Sequence, residues 1–128
     1  MKLFQSNTSL FIAAMLAAMH PCSAIAGETP SCAGKPVVEI VVFSSNKGVS
    51  DSAMKRAAAN VTPTLRNMPG FKDRAFSKSS NGKWVDVVQW QSLESANAAA
   101  EKVMKNSVAA TFFSLINQND MSIKHLCE

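Results

Sequence analysis

The stretch Met68-Pro-Gly-Phe-Lys-Asp-Arg-Ala-Phe-Ser-Lys-Ser-Ser-Asn-Gly-Lys-Trp-Val-Asp-Val-Val-Gln-Trp90 decides the fold. Pro69-Gly70 halts a helix, because proline cannot continue one and glycine tolerates the left-handed conformation past its end. Asn81-Gly82 is the pair that tight hairpin turns select. Phe71 to Ser77 and Lys83 to Trp90 therefore read as the two arms of a β-hairpin. Side chains two apart on a strand share a face, so Trp84 and Trp90 bracket a carboxylate, Asp86, on their own side.

On either side of this hairpin the chain repeats a pattern. Val37 to Phe43 is dense in β-branched residues and reads as a buried strand. Ser50 or Asp51 can cap a helix whose apolar stripe is Met54, Ala57, Ala58, Val61, Leu65 and Met68. Pro63 lies inside it, so the helix either kinks there or is recapped at Thr62. Ser92 caps a second, alanine-rich helix with Leu93, Ala96, Ala99, Ala100 and Val103 inward. Asn106-Ser107 interrupts it, Val108 to Ile116 forms a short helix carrying Phe112 and Phe113, Asn117 to Asp120 is a turn, and Met121 to Cys127 is a last strand. The order β-α-β-β-α-β predicts an α+β fold: a ferredoxin-like, four-stranded antiparallel sheet with the helices on one face.

The N-terminus reads differently. Lys2 precedes an uncharged apolar run from Leu10 to Met19, Pro21 breaks it, and Ala24-Ile25-Ala26 offers small residues for a signal peptidase. The run is shorter than the ~20 residues a bilayer crossing needs. Cys22 follows Met19-His20-Pro21 rather than the small residues expected before a lipidated cysteine. Residues 1–26 are thus expected to be a signal peptide, 27–36 an extended lead-in and 37–128 the domain, with a periplasmic or secreted location and no stable membrane insertion after cleavage. Loss of 26 residues from 128 leaves 102, enough for one domain, and loss of Lys2 leaves 12 basic against 9 acidic residues. The basic residues are scattered, which argues against a nucleic-acid partner. Cys32 and Cys127 remain, one at each end, and in an oxidising compartment an even pair predicts a disulfide. In the expected topology the last strand lies beside the first, which brings the two cysteines together. Two thiols and one mature histidine make a metal site unexpected.

From Val37 onward the sequence resembles the dimeric α+β barrel superfamily, in particular its antibiotic-biosynthesis-monooxygenase-like (ABM) members. The resemblance rests on Val37 to Phe43, on Met68-Pro-Gly-Phe71, on Gly82-Lys-Trp-Val-Asp-Val-Val-Gln-Trp90, on Ser92-Leu-Glu-Ser-Ala96, and on Ser107 to Ile116. It implies a homodimer closed into a barrel and an activity among cofactor-independent, quinone-forming monooxygenases, haem-degrading enzymes or non-catalytic binding and stress-related proteins. The haem-degrading branch pairs an asparagine on the first strand with a tryptophan closing the third and a histidine after the second helix. Only Trp90 matches: the first strand offers Glu39-Ile40, and Val108 to Ile116 has no histidine.

Alternation sorts the remaining side chains. Val38, Ile40, Val42, Val85 and Val87 form an aliphatic set expected under the helices. The opposite set, Val37, Glu39, Val41 and Phe43 with Trp84, Asp86, Val88 and Trp90, is then the helix-free face that a second subunit covers. Glu39 is the most telling residue, since a carboxylate in a central strand is costly unless paired or partly wet. It reads either as a base that orients or deprotonates a phenol-like substrate, or as an ion-pair partner of Arg74, Lys72 or Lys124. Asp86 carries the same two readings. His125, the one mature histidine, belongs to the residue type that ordinarily titrates near neutrality, though a terminal-strand histidine is more often structural. Candidate catalytic residues are therefore Glu39, His125 and Asp86. Candidate ligand contacts are Trp84, Trp90, Phe112, Phe113 and Phe43, all of which serve equally as core. Met54, Met68 and Met104 read as core gap-fillers. The expected ligand is small and aromatic or polycyclic, and the expected chemistry calls for no cofactor.

Overall fold

Residues 32–128 are described by a computed structural model. Along them run β1 (Val37–Ser45), α1 (Asp51–Arg66), β2 (Phe71–Lys78), β3 (Trp84–Trp90), α2 (Leu93–Val103), α3 (Ser107–Ser114) and β4 (Ile116–Cys127). The signal peptide expected over 1–26 and the first part of the lead-in lie outside the described residues. The strands form one antiparallel sheet in the order β2-β3-β1-β4, the ferredoxin-like arrangement.

Local chemistry sets the boundaries. Ser50, Ser92 and Asn106 cap the three helices, their side chains accepting from the backbone N–H of Ala53 (3.2 Å), Ser95 (3.1 Å) and Ala109 (3.0 Å). Pro63 stays within one continuous α1. It cannot donate to the carbonyl of Ala59, and the neighbouring carbonyl of Ala58 accepts from a side chain of β2 (Arg74 Nη1, 2.6 Å). Gly70, at φ 81°, stands where a Cβ would lie 2.2 Å from Ser95 Oγ and 2.5 Å from Ser95 Cβ, so α2 packs on it only because it has no side chain. Gly82, at φ 84°, turns the hairpin, and Ser79 N–H bonds the carbonyl of Lys83 across it (2.8 Å). Cys32 and Cys127 form the expected disulfide, which ties residues 95 apart and anchors the end of β4 beside the start of β1.

Two strands depart from strict alternation. On β2, Phe71 pairs with Trp90 but Asp73 pairs with Gln89, so an extra residue bulges at Lys72 and shifts the phase. Arg74, Phe76 and Lys78 then share the face of Phe71. On β4, Met121 faces Phe43 and Ile116 faces Ser45, five residues against two. The polar run Asn117 to Asp120 is thus not a turn before the strand but a bulge within it.

The face assignment is the principal correction to the sequence reading. The helices cover the aromatic and charged set. Val37, Phe43, Trp84, Asp86, Val88 and Trp90 are buried, and Phe43, Trp84, Val88 and Trp90 pack with Met54, Ala58 and Val61 of α1, Ala96 and Ala99 of α2 and Phe112 of α3. The aliphatic set Val38, Ile40, Val42, Val85 and Val87 lies on the helix-free side and is only partly covered. The reason is volume. A helix layer stands well off a sheet, and large rings fill that gap at a gain of about 1.5–3 kcal/mol each, where short β-branched chains would leave voids.

Candidate functional site

The register lays the helix-facing side chains out as a grid. Cys127, Val37, Trp90 and Phe71 make one row across the sheet, and His125, Glu39, Val88 and Arg74 make the next. Ile123, Val41, Asp86 and Phe76 follow, then Met121, Phe43, Trp84 and Lys78. The helices do not fill the space over the middle of this grid. A cavity of about 370 Å³ remains, floored by Glu39, Val41, Val88 and Trp90, walled by α1, α2 and α3, and bordered by Met104 and Ile123. That volume is within the range of small-molecule sites, and the lining is mostly apolar, as such sites are.

Two charge pairs meet this cavity. Arg74 and Asp86 are both on its wall and are joined twice, Nε to Oδ1 at 2.8 Å and Nη2 to Oδ2 at 2.7 Å. Their side chains are 3 % and 10 % exposed. Nη1 of Arg74 donates to the Ala58 carbonyl and to Thr62 Oγ1 (3.0 Å), and the guanidinium lies 5.6 and 5.7 Å from the ring centres of Phe76 and Phe112. A buried pair is tolerable when geometry and extra hydrogen bonds compensate the ions, and here both Asp86 oxygens and four of the five Arg74 N–H groups are engaged. The second pair is looser. His125 Nε2 donates to Glu39 Oε2 at 2.8 Å, with side chains 27 % and 18 % exposed. Among the described residues no hydrogen bond engages Glu39 Oε1, so this cavity-lining carboxylate keeps one oxygen free.

The structure brings most of the predicted residues together. Glu39, Asp86, Phe43, Trp90, Phe112 and Phe113 line the cavity; His125 does not, but is held to it through Glu39. Trp84 lies elsewhere: its indole N–H donates to Ser45 Oγ (2.8 Å) and its ring stacks on Phe76 at 5.1 Å. Glu39 pairs with none of Arg74, Lys72 or Lys124. Arg74 is taken by Asp86, and register puts His125 directly opposite Glu39. Met104, read as core, is 74 % exposed at the cavity border, because it sits past the end of α2 where no element covers it. Trp90 is buried, yet its indole nitrogen has no hydrogen-bond partner among the described residues.

Sequence reasoning missed Arg74 as a wall residue. Counting by twos back from Phe76, not forward from Phe71, would have put it on the face of Asp86. Gln118, also on the wall, was hidden in the expected turn. Among the described residues there is no cluster of three or more His, Cys, Asp or Glu able to hold a metal ion, and no helix long and apolar enough to cross a membrane.

No protein-family model matches the sequence, and no curated protein does. Solved structures do match. SnoaB, a cofactor-independent oxygenase from Streptomyces nogalater, superposes with a TM-score of 0.61 at 12 % identity, over 72 % of this chain and 91 % of that one. A Bordetella bronchiseptica protein provisionally assigned as an antibiotic biosynthesis monooxygenase gives 0.64 at 12 %, over 73 % and 97 %. A dimeric ferredoxin-like protein of unknown function from Thermobifida fusca gives 0.61 at 14 %, over 74 % and 92 %. At such identities it is the architecture that is shared: the chain has the ferredoxin-like α+β fold of these ABM-like and dimeric proteins.

Proposed function

We propose that this chain is an exported homodimer whose cavity binds a small hydroxylated aromatic molecule and oxidises it with O2 without a cofactor. The observation that carries the proposal is the free oxygen of Glu39 on the floor of an apolar, ring-lined cavity, with His125 holding its other oxygen. A ligand hydroxyl placed there gives its proton to Glu39, and His125 stabilises the pair by hydrogen bonding. The electron-rich ring left behind is the reductant. One atom of O2 is bonded to a ring carbon and the other leaves as water with two hydrogens, so phenol and O2 become quinone and water. Phe112, Phe113 and Trp90 stack against the ring and exclude solvent. The likeness to SnoaB supports this choice among the activities the fold hosts, by analogy of architecture alone.

Dimerisation is supported by the helix-free face, where five β-branched side chains stand together, and by the dimeric T. fusca neighbour. Export is supported by the N-terminal sequence and by the disulfide. The test is oxygen uptake by the purified protein with a panel of hydroxylated aromatics. Uptake that is lost in Glu39→Gln, with dimer mass unchanged by light scattering, is the expected result. A variant as active as the parent would remove Glu39 from the mechanism. Binding without uptake in the parent would leave the cavity as a non-catalytic binding site, the reading that the existing Glu39–His125 bond favours.

A further inference from the structure

We infer that Arg74 is a second polar anchor of the cavity and selects ligands that carry an acceptor oxygen across the ring from their acidic hydroxyl. The inference rests on the ligand reading above and adds a specificity residue to it. A guanidinium has five N–H donors. Four are engaged in Arg74: one from Nε and one from Nη2 to Asp86, and two from Nη1 to Ala58 and Thr62. Among the described residues the second N–H of Nη2 has no acceptor, on a side chain 3 % exposed that lines the cavity. A buried cationic donor left unpaired is costly, and an incoming oxygen relieves that cost.

Position makes the anchor selective. Glu39, Val88 and Arg74 occupy one row on three consecutive strands. Adjacent strands are about 4.8 Å apart, so the backbones of Glu39 and Arg74 are separated by roughly 10 Å, with only Val88 between them. Glu39, Val88 and Arg74 all line the cavity, so a substituted aromatic ring lying over Val88 has Glu39 on one side and Arg74 on the other. One end meets a free carboxylate oxygen, which needs a donor. The other meets a free N–H, which needs an acceptor. A ring bearing a hydroxyl and, opposite it, a carbonyl satisfies both, whereas a ring bearing an alkyl group there leaves Arg74 unpaired.

Two ligands of nearly the same shape test this, para-hydroxyacetophenone and para-ethylphenol, their binding followed by tryptophan fluorescence or calorimetry. The parent protein should bind the ketone about 10- to 100-fold more tightly. The ketone is also the stronger acid, so the control is the double variant Arg74→Met with Asp86→Leu, which replaces the ion pair with apolar side chains and leaves no buried charge uncompensated. There the preference should collapse to the part due to acidity. If that variant does not fold, Arg74→Lys, which loses the planar fork, takes its place with the same expectation. Equal binding by the parent, or an undiminished preference in the variant, would overturn the role of Arg74 while leaving the cavity reading intact. Binding of neither ligand by the parent would overturn the cavity reading, and this inference with it.

Discussion

The two ion pairs that meet the cavity are built from the same chemistry and are put to different uses. Arg74 and Asp86 are joined twice, nearly closed to solvent and tied to α1, so the pair behaves as a strut between hairpin and helix. Glu39 and His125 are joined once, two to nine times more exposed by side chain, and leave a carboxylate oxygen facing the cavity. Both pairs sit where an apolar core would be expected. The difference teaches that burial of charge does not by itself mark chemistry. Engagement of the carboxylate does: both oxygens of Asp86 are held by Arg74, whereas Glu39 keeps one free among the described residues.

The largest expected effect separates the two pairs directly. Asp86→Ala leaves Arg74 buried without its counter-charge and should cost about 3–5 kcal/mol in urea unfolding. Glu39→Gln should cost under about 1 kcal/mol by the same measurement, since its pair is partly solvated. Equal losses would mean that both pairs are struts. Next comes the clamp beside the looser pair. Cys127 lies two residues from His125, and Cys32→Ser with Cys127→Ser should lower stability by about 2–4 kcal/mol. It should also weaken ligand binding more than Asp120→Asn does, because it frays the strand end that presents His125. Thiol titration of the unfolded, unreduced mature protein, which holds Cys32 and Cys127, should find none free.

How much of this was legible in the sequence depends on what each residue needed to be read. Topology was legible because Pro69-Gly70, Asn81-Gly82 and the caps Ser50 and Ser92 act locally, and each does the same thing in any fold. The disulfide was legible because an even pair of cysteines in an exported chain is first read as one, and the topology independently brought the two to one corner. The face of the sheet was not, since β1 and β3 carry apolar side chains on both sides, the charged residues aside, and only the volume between layers chooses between them. The partner of Glu39 was hidden by two bulges. One at Lys72 shifts Arg74 onto the face of Asp86, and one at Asn117 to Asp120 obscures the phase that sets His125 opposite Glu39. Bulges change which side chains meet without changing composition, so they are nearly silent in a single sequence.

The smallest effect concerns a further, more exposed pair that sharpens the contrast. Lys83 and Ser44 hydrogen-bond Asp120, chiefly Lys83, and hold its carboxyl below the usual aspartate range. A carboxyl so lowered adds stability above its unfolded value, near pH 4, and that stability fades as pH falls through its folded value. Asp120→Asn should therefore lower the Tm only slightly at neutral pH, with the difference from the parent disappearing in acid. A persistent difference in acid would assign the effect to packing.

The central claim, that Glu39 receives a ligand hydroxyl in the cavity between sheet and helices, is tested most directly by comparing binding of 2-naphthol and its methyl ether to the parent and to Glu39→Gln. Tryptophan quenching reports occupancy, since Trp90 lies on the wall. The parent is expected to bind the naphthol about 10-fold or more tightly than the ether, and Glu39→Gln to lose most of that preference. Equal affinities in the parent, or a preference that survives in Glu39→Gln, would contradict the account.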